Sequence, residues 1–400
     1  MYGKGWEETH FVLPSPIRNP PAASTRIVSI DVLRGIVMVL MAIDHARVYF
    51  TNAHFDPLAL DRTWPALFVT RWITHFCAPV FLFLAGTSAF LSAKRNLSRF
   101  LLARGLWLVL LEVTIIDMLW LFDGEWMQAG AGVIWAIGWS MIALAALVKL
   151  PVRVVGMFGL AMIALHNLLD PLVPSQLGPA AWLWTVLHEG GPLPLGPFFV
   201  FVAYPLVPWI GVMAAGYAFG SLIAASEHRA RLFARTGAIA TIAFIVLRAL
   251  NVYGDPVAWS RQPSMLYTLF SFVDTHKYPP SLAYLLMTLG PALLLLAWLE
   301  RTQVRGPLVV FGRVPFFYYL LHLGLLHAMA VALQAARGRD VGWMLGTPPG
   351  PSVYFPPADY GYGLPVVYLT WAIAVAALYW PCRWFAEVKA RRRDAWLSYL

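Results

Sequence analysis

Charged residues are scarce in this sequence. Asp, Glu, Lys and Arg together make up 12% of the 400 residues, whereas hydrophobic residues make up 60%. A soluble domain carries about 25% charged residues, so the composition excludes a soluble globular enzyme. Apolar runs of about 20 residues recur along the chain, which is the length that crosses a bilayer as a helix. The sequence therefore predicts an all-α polytopic membrane protein.

Cysteine is almost absent as well. Cys77 and Cys382 are the only two, which excludes a disulfide framework and a four-cysteine metal site. The HExxH, CxxC, GxxxxGK[ST] and GxSxG sequences do not occur, so zinc-protease, P-loop and serine-hydrolase chemistry has no support. We expect no metal. The first 30 residues lack the basic-then-apolar pattern of a cleaved signal peptide, so we expect the first helix to be retained.

Ten apolar runs predict ten membrane-spanning helices in one bundle. Nine or eleven remain open, because one run is short (235–250) and one is long and contains Pro315 (307–336). The chain then divides into a cytoplasmic segment 1–30, a transmembrane domain 31–386 and a basic cytoplasmic tail 387–400. The predicted spans are 31–50, 72–93, 99–122, 129–148, 151–169, 204–225, 235–250, 281–300, 315–336 and 364–386.

The distribution of positive charge predicts the orientation of these spans. With the N-terminus in the cytoplasm, 21 of the 29 lysines and arginines fall inside and 8 fall outside. This bias satisfies the positive-inside rule, so we predict that both termini are cytoplasmic. The net charge of +9 is then a topology signal and gives no reason to expect nucleic-acid binding.

The predicted outer loops are much longer than the inner ones. They cover 51–71, 170–203, 251–280 and 337–363, and they are rich in Pro, Gly, Trp and Tyr. Long loops in compact proteins often carry function, so these segments could cap a cavity. The alternative is that their aromatic side chains simply lie in the interface belt of the membrane.

Ionisable residues are concentrated in the first span, where each one is costly and suggests function. Asp31 and Arg34 are three residues apart, as are Asp44 and Arg47, so each pair lies on one helical turn. His45 follows Arg34 by 11 residues, which returns it to the same face of a helix. The alternative interpretation is a ladder of ion pairs that only fixes helix packing.

The predicted topology brings further polar residues to the depth of His45 at the outer side. Any one of them could be a hydrogen-bonded structural residue, but together they indicate a site. A lone His54 in the first outer loop could be catalytic or merely solvated. His322 and His327 are about 140° apart on one helix, which argues against a shared metal ion. The outer set comprises His75, His166, Asn167, Asp170 and Lys277.

Several stretches of the sequence resemble a known family. RIVSIDVLRGIVMVLMAIDHAR, THFCAPVFLFLAGTSAFL, YPLVPWIGVMAAGYAFG, KYPPSLAYLLMTLGPALLLLA and FGRVPFFYYLLH occur in this order. Together they resemble the bacterial branch of the heparan-alpha-glucosaminide N-acetyltransferase-like membrane proteins, formerly a domain of unknown function. The resemblance implies an acyltransferase that takes an acyl group, probably acetyl in the best-known case, from cytoplasmic acetyl-CoA to a sugar on the other side of the membrane.

The resemblance also suggests catalytic residues. The similar acyltransferase-3 group has Asp-x-x-Arg at its first helix and a catalytic His 11 residues after the Arg, which here correspond to Asp31, Arg34 and His45. The lysosomal enzyme of the family has Asn in place of His45 and a catalytic His in the next loop, where His54 is the nearest counterpart. We rank His45 first as the base, with Asp44 tuning it, then His75, then His54.

The remaining assignments follow from this scheme. For the donor we expect Arg34, with its partner Asp31, and also Arg104 and Arg313 to contact the phosphates of acetyl-CoA. For a hydroxyl or amine of a sugar-type acceptor we expect Arg47 and the outer set to form the pocket.

The expected partners are acyl-CoA, this acceptor and membrane lipids. The resemblance is compatible with a homodimer, and the expected location is the bacterial inner membrane. The competing interpretation is a transporter or flippase for a polar or lipid-linked solute, which would use similar buried charges; a structural or assembly protein would not need them.

Overall fold

Helices account for most of the fold. The computed structural model describes residues 26–92, 96–122, 128–196, 198–304, 306–345, 354–392 and 394–398. Residues 1–25 of the predicted N-terminal segment and 393, 399 and 400 of the predicted tail lie outside this description. The helices in these ranges are α1 Val28–Phe50, α2 Pro65–Trp72, α3 Cys77–Leu91, α4 Leu97–Leu111, α5 Asp117–Leu121, α6 Val133–Leu147, α7 Val152–Leu165, α8 Ala181–Trp184, α9 Leu206–Ala225, α10 Arg229–Leu250, α11 Met265–Val273, α12 Leu282–Thr302, α13 Pro307–Arg313, α14 Pro315–Ala336 and α15 Leu364–Arg391.

Seven helical segments in the described ranges are long and apolar enough to cross a membrane. Their length and hydropathy confirm that the protein is a polytopic membrane protein. A 3₁₀ turn at Ile73–Phe76 joins α2 and α3 into one of them, and another includes the 3₁₀ turn that follows α7. The seven are Pro65–Leu91, Val152–Leu169, Leu206–Ala225, Arg229–Leu250, Leu282–Thr302, Pro315–Ala336 and Leu364–Arg391.

Each of the other three predicted spans also overlaps a helix. The first is α1, which is 23 residues long but rich in charge. In the second, a π-helical turn at Glu112–Ile116 joins α4 to α5. The third is α6, which has 15 residues. The count of ten spans and the cytoplasmic placement of both termini stay predictions.

A small β-sheet corrects the prediction of an all-α fold. Its strands are β1 Gln128–Ala131, β2 Gly191–Leu195 and β3 Phe198–Val202. The central strand β3 pairs parallel with β1 and antiparallel with β2. Strand β1 occupies the predicted start of the fourth span at 129, so α6 begins only at Val133. Glycine-rich and proline-rich segments are poor helix formers, and the pairing partners of β1 are about 70 residues away in the sequence.

Helix α1 packs very closely against α13. A Cβ atom on Gly35 would collide with the backbone carbonyl of Leu308, and one on Gly312 would collide with the carbonyl of Asp31. Small residues allow helix backbones to approach in membranes, where packing rather than hydrophobic burial drives association. The contact fixes the cytoplasmic half of α1 and thereby the direction in which its other half points.

The opposite half of α1 is held by the C-terminal part of the chain. Asn52 and Tyr362 form a backbone bridge, in which the Asn52 amide donates to Tyr362 and the Tyr362 amide donates to Phe50, at 3.1 and 2.8 Å. The indole of Trp371 on α15 donates to the Val39 carbonyl at 2.9 Å. The first predicted span is therefore attached directly to the last one.

The predicted outer loops also contact one another. The Tyr267 hydroxyl in α11 donates to the Thr63 carbonyl at 3.0 Å, and the Trp72 indole donates to the Val273 carbonyl at 3.1 Å. These contacts join the loop after α1 to the loop before α12. The segments form a layer at one end of the bundle, next to the end of α1 that carries Asp44 and His45.

Candidate functional site

An ion-pair cluster surrounds Asp44 near the end of α1. Arg47 lies one turn further along, with its Nη2 atom 3.1 Å from Asp44 Oδ1, as the sequence predicted. Arg71 from α2 occupies the other carboxylate oxygen, at 2.5 Å from Nη1 to Oδ2. All three side chains are at most 16% exposed. Asp44 is thus fully occupied by two arginines, and its carboxylate is not aimed at His45.

His45 pairs with a histidine from another helix. Its Nδ1 atom lies 2.6 Å from Nε2 of His322 in α14, and the two rings stack with centroids 4.9 Å apart. The Nδ1 atom of His322 lies 3.0 Å from the carbonyl oxygen of Tyr318 one turn earlier. His322 is fully buried, whereas His45 is partly accessible. No other described residue hydrogen-bonds to His45, so its Nε2 atom is available.

Aromatic side chains form the walls around this histidine pair. The Trp120 ring meets His45 edge-on at 4.7 Å, and Tyr319 does so at 6.2 Å. Sequence reasoning considered His322 only in relation to His327, which lies elsewhere against Tyr49 and Phe122. The one signal that could have selected His322 is its imidazole in an otherwise apolar predicted span.

His75 lines a cavity of about 250 Å³ beside the ion-pair cluster. Its side chain is 1% exposed, yet neither ring nitrogen has a hydrogen-bond partner in the described part of the chain. The Tyr284 ring lies edge-on to it at 5.3 Å, and the Tyr284 hydroxyl donates to the His75 carbonyl. Buried polar groups are almost always paired, so an imidazole left without partners indicates a place for a ligand.

The cavity carries charges of both signs. Arg71 and Lys277 provide the cations, and Asp56 and Asp274 the carboxylates. Burial, reinforced by Asp56 and Asp255, raises the pKa of Asp274 to about 7 against the opposing effect of Arg248.

Tyr278 also lines the cavity, next to Lys277. The Lys277 ammonium lies 5.0 Å from the Tyr278 ring centroid. Burial raises the pKa of this phenol, but Lys277 and Arg71 outweigh that effect and lower it to about 8. The cavity thus combines Arg71, which the sequence did not single out, with the predicted residues His75 and Lys277.

The predicted residues of the fifth span, at 166–170, support this cavity from behind. His166 Nε2 lies 2.9 Å from the Pro280 carbonyl oxygen, and the Asn167 side-chain oxygen accepts the Leu282 amide at 2.9 Å. Asp170 lies 3.0 Å from His188 and accepts a hydrogen bond from Asn167. These bonds hold the segment that carries Lys277. The structure thus places the three residues as anchors of that segment.

His54 lies apart from this arrangement. Its side chain is exposed, and it forms no hydrogen bond, ion pair or ring contact with any residue in the described ranges. His45 and His75 instead lie on the two sides of Asp44 and its arginines. The structure thus brings together the first two candidates for the base and leaves the third in the loop.

The predicted pair at the other end of α1 forms, but with a change of partner. Asp31 lies 3.7 Å from Arg34 and 2.5 Å from Arg26. Arg34 itself donates to the Leu84 carbonyl at 3.1 Å and to the Ser88 hydroxyl. Arg34 therefore ties α1 to α3, and the more exposed Arg26 is the main counter-ion of Asp31.

The other predicted phosphate contacts differ in exposure. Arg104 in α4 is partly buried and lies 6.0 Å from the Phe100 ring, whereas Arg313 at the end of α13 is exposed. A separate cluster, which sequence reasoning missed, joins the start of α1 to α12 and α10: Ser29 and Arg229 both donate to Glu300, at 2.5 and 2.8 Å.

Comparison with known families now decides where this arrangement belongs. The family model described as heparan-alpha-glucosaminide N-acetyltransferase, catalytic, matches residues 26–254. This match covers more than half of the chain. The chain belongs to this family. Among curated proteins, none matched the chain.

Membership of the heparan-alpha-glucosaminide N-acetyltransferase family identifies the site as that of a membrane-embedded acetyltransferase. The matched segment contains Asp44, His45, Arg71 and His75. His322, Lys277 and Tyr278 lie beyond it. The two parts of the site thus come from different parts of the chain.

Proposed function

We propose that the protein transfers an acyl group, in the simplest case acetyl, from cytoplasmic acyl-CoA to a hydroxyl or amine of a sugar-type acceptor at the outer face. The observation that carries this proposal is His45. It is a histidine in a membrane helix that is fixed through one ring nitrogen and open at the other. General bases in acyl transfer need this combination of fixed orientation and an available lone pair.

The reaction follows from these positions. The acceptor oxygen or nitrogen attacks the thioester carbonyl while His45 takes the proton that it loses. The bond between the acceptor atom and the acyl carbon forms, the carbon–sulfur bond breaks, and the same proton passes to the departing sulfur. The free thiol of CoA leaves, so the step needs no further reactant.

The acceptor would enter through the cavity that His75 lines. The unpartnered nitrogens of His75 can exchange hydrogen bonds with acceptor hydroxyls, and Lys277 and Tyr278 add polar groups at the same wall. Arg47 and Asp44 contribute by fixing Arg71 in place. His166, Asn167 and Asp170 act through the segment that they anchor. We assign His75 the further task of delivering a proton to the departing thiolate.

The donor would bind from the other end of α1. Asp31 and His45 are separated by 14 residues, or about 21 Å along a helix, so an extended arm such as that of pantetheine suits the distance. Arg313 is exposed for a phosphate, and Arg34 and Arg104 line the approach. In this scheme the termini are cytoplasmic and the membrane is the bacterial inner membrane.

A covalent route through Cys77 receives less support. Its thiol is buried and donates to the Val37 carbonyl at 3.4 Å. Burial of this kind keeps a cysteine inert, since reactive thiols are partly exposed in electropositive surroundings. We therefore propose direct transfer, with donor and acceptor bound at the same time.

Labelled acetyl-CoA and purified protein in detergent test this function. Wild type and His45→Ala are compared for acetyl transfer to a panel of amino sugars and neutral sugars. We expect His45→Ala to lower the turnover rate by about 100-fold or more, the usual range for loss of a general base. The exposed His228 on the opposite loop provides the matched control as His228→Ala.

Two other results would overturn the assignment. If His54→Ala abolishes transfer while His45→Ala retains it, the base is in the outer loop. If wild-type protein neither binds nor turns over acetyl-CoA, but vesicles containing it move a polar solute, the protein is a transporter.

A further inference from the structure

The contacts of His322 determine which of its nitrogens carries hydrogen. A carbonyl oxygen can only accept, so the Nδ1 atom of His322, at 3.0 Å from the Tyr318 oxygen, must be the donor. A neutral imidazole has one N–H and one acceptor nitrogen. The Nε2 atom of a neutral His322 is therefore an acceptor, and it faces His45 at 2.6 Å.

The same reasoning then determines the state of His45. Its Nδ1 atom must donate to His322, which leaves Nε2 without hydrogen and with a free lone pair. The opposite state would need a protonated His322. Arg47 and Arg71 share the one carboxylate of Asp44 next to this pair, so no free counter-charge lies beside an additional cation.

We propose that His322 is a positioning residue that keeps the hydrogen of His45 on Nδ1 and leaves Nε2 free to act as the base. This inference rests on the proposed acyl transfer and adds a residue to it from outside the segment that the family model matches. It also explains why Asp44, although adjacent in sequence, does not have this role.

The fixed hydrogen bond matters in each step of the transfer. His45 takes the acceptor proton on Nε2 and gives it to the departing sulfur, while the hydrogen on Nδ1 stays in the bond to His322. If the ring turned over or adopted the other tautomer, an N–H would face the acceptor, and the base would be lost. An orienting partner of a catalytic histidine can contribute several orders of magnitude in rate.

Three variants of His322 separate this role from packing. His322→Phe keeps an aromatic ring that can stack on His45 and Tyr318 but removes the acceptor. His322→Gln restores a side-chain acceptor without the ring. His327→Phe, on the same helix, is the matched control because His327 contacts Tyr49 and Phe122 and not His45.

We expect His322→Phe to lower kcat by about 100-fold, with KM for acetyl-CoA within about threefold of wild type. His322→Gln should recover at least tenfold of that loss. Nitrogen-15 chemical shifts of labelled histidine should show His45 as the Nδ1–H tautomer in wild type and a mixture of tautomers in His322→Phe. This spectroscopic measurement needs neither acceptor nor turnover.

The results separate failure of this inference from failure of the proposed function. If wild type transfers no acyl group, the function is wrong, and the nitrogen-15 spectra still test the pairing. If His322→Phe keeps wild-type kcat, or if His45 has its hydrogen on Nε2 in wild type, His322 does not position the base. A loss of stability in His322→Phe with equal loss in His322→Gln and unchanged tautomer would identify a structural role alone and overturn the proposal.

Discussion

Arg71 binds the carboxylate of Asp44 from a different helix, at 2.5 Å from Nη1 to Oδ2. This pair fixes the start of the second membrane-crossing segment against the end of the first. It also determines the charge next to His45, because Arg47 takes the second oxygen of the same carboxylate. Asp44 is therefore the common counter-ion of two arginines.

We expect Asp44→Asn to lower the stability of the protein by about 2 kcal/mol, because breaking a buried pair leaves unpaired charge behind. The partial exposure of the three side chains keeps the loss at the low end. Thermal unfolding in detergent measures the effect. Combining Asp44→Asn with Arg71→Met should cost less than the sum of the single changes. Additive losses would show that the pair contributes nothing.

His75 offers a test in which stability and activity respond differently. Its two nitrogens have no partner in the described structure, so replacing the ring with an apolar side chain removes an uncompensated polar burial. We expect His75→Leu to keep or raise the melting temperature while raising KM for the acceptor about tenfold, the effect of about 1.4 kcal/mol of lost binding. A lower melting temperature with unchanged KM would mean that His75 is structural.

Asp274 predicts how stability depends on pH. Its pKa is raised to about 7 in the folded protein, from about 3.9 in an unfolded chain. Between these values the folded protein binds more protons than the unfolded one, so stability falls as pH rises from about 4 to about 7. The groups that act on Asp274 are Asp56, Asp255 and Arg248.

We expect Asp274→Asn to flatten this dependence and to raise the melting temperature at pH 8 relative to wild type. Melting curves at pH 5 and pH 8 check it. Asp61→Asn, which changes an exposed carboxylate in an outer loop, serves as the control and should keep the wild-type slope. Identical slopes for wild type and Asp274→Asn would show that the carboxyl is not the origin of the dependence.

Contacts within one helix could be predicted from the sequence, and contacts between helices could not. The pairs Asp31–Arg34 and Asp44–Arg47 both form, because residues three apart always lie on one turn. The partnership of His45 with His322 spans 277 residues. It depends on how α1 and α14 pack, and apolar periodicity does not specify that packing.

The same limit explains the other differences. Long apolar runs predicted where helices occur, since membrane spanning imposes a length and a composition. The strand β1 pairs with β3 across about 70 residues, so no local pattern announced it. Asp31 was paired in the sequence with Arg34, but its shorter contact is with Arg26, which precedes the helix and has no fixed helical geometry.

The bridge between Asn52 and Tyr362, with the bond from Trp371 to Val39, has a consequence for biogenesis. The first helix to be synthesised receives these contacts only after the last one has been inserted. His322 likewise reaches His45 late in synthesis. A nascent chain with only its first helices in the membrane lacks the catalytic arrangement, and chemistry begins when translation of the C-terminal helix ends.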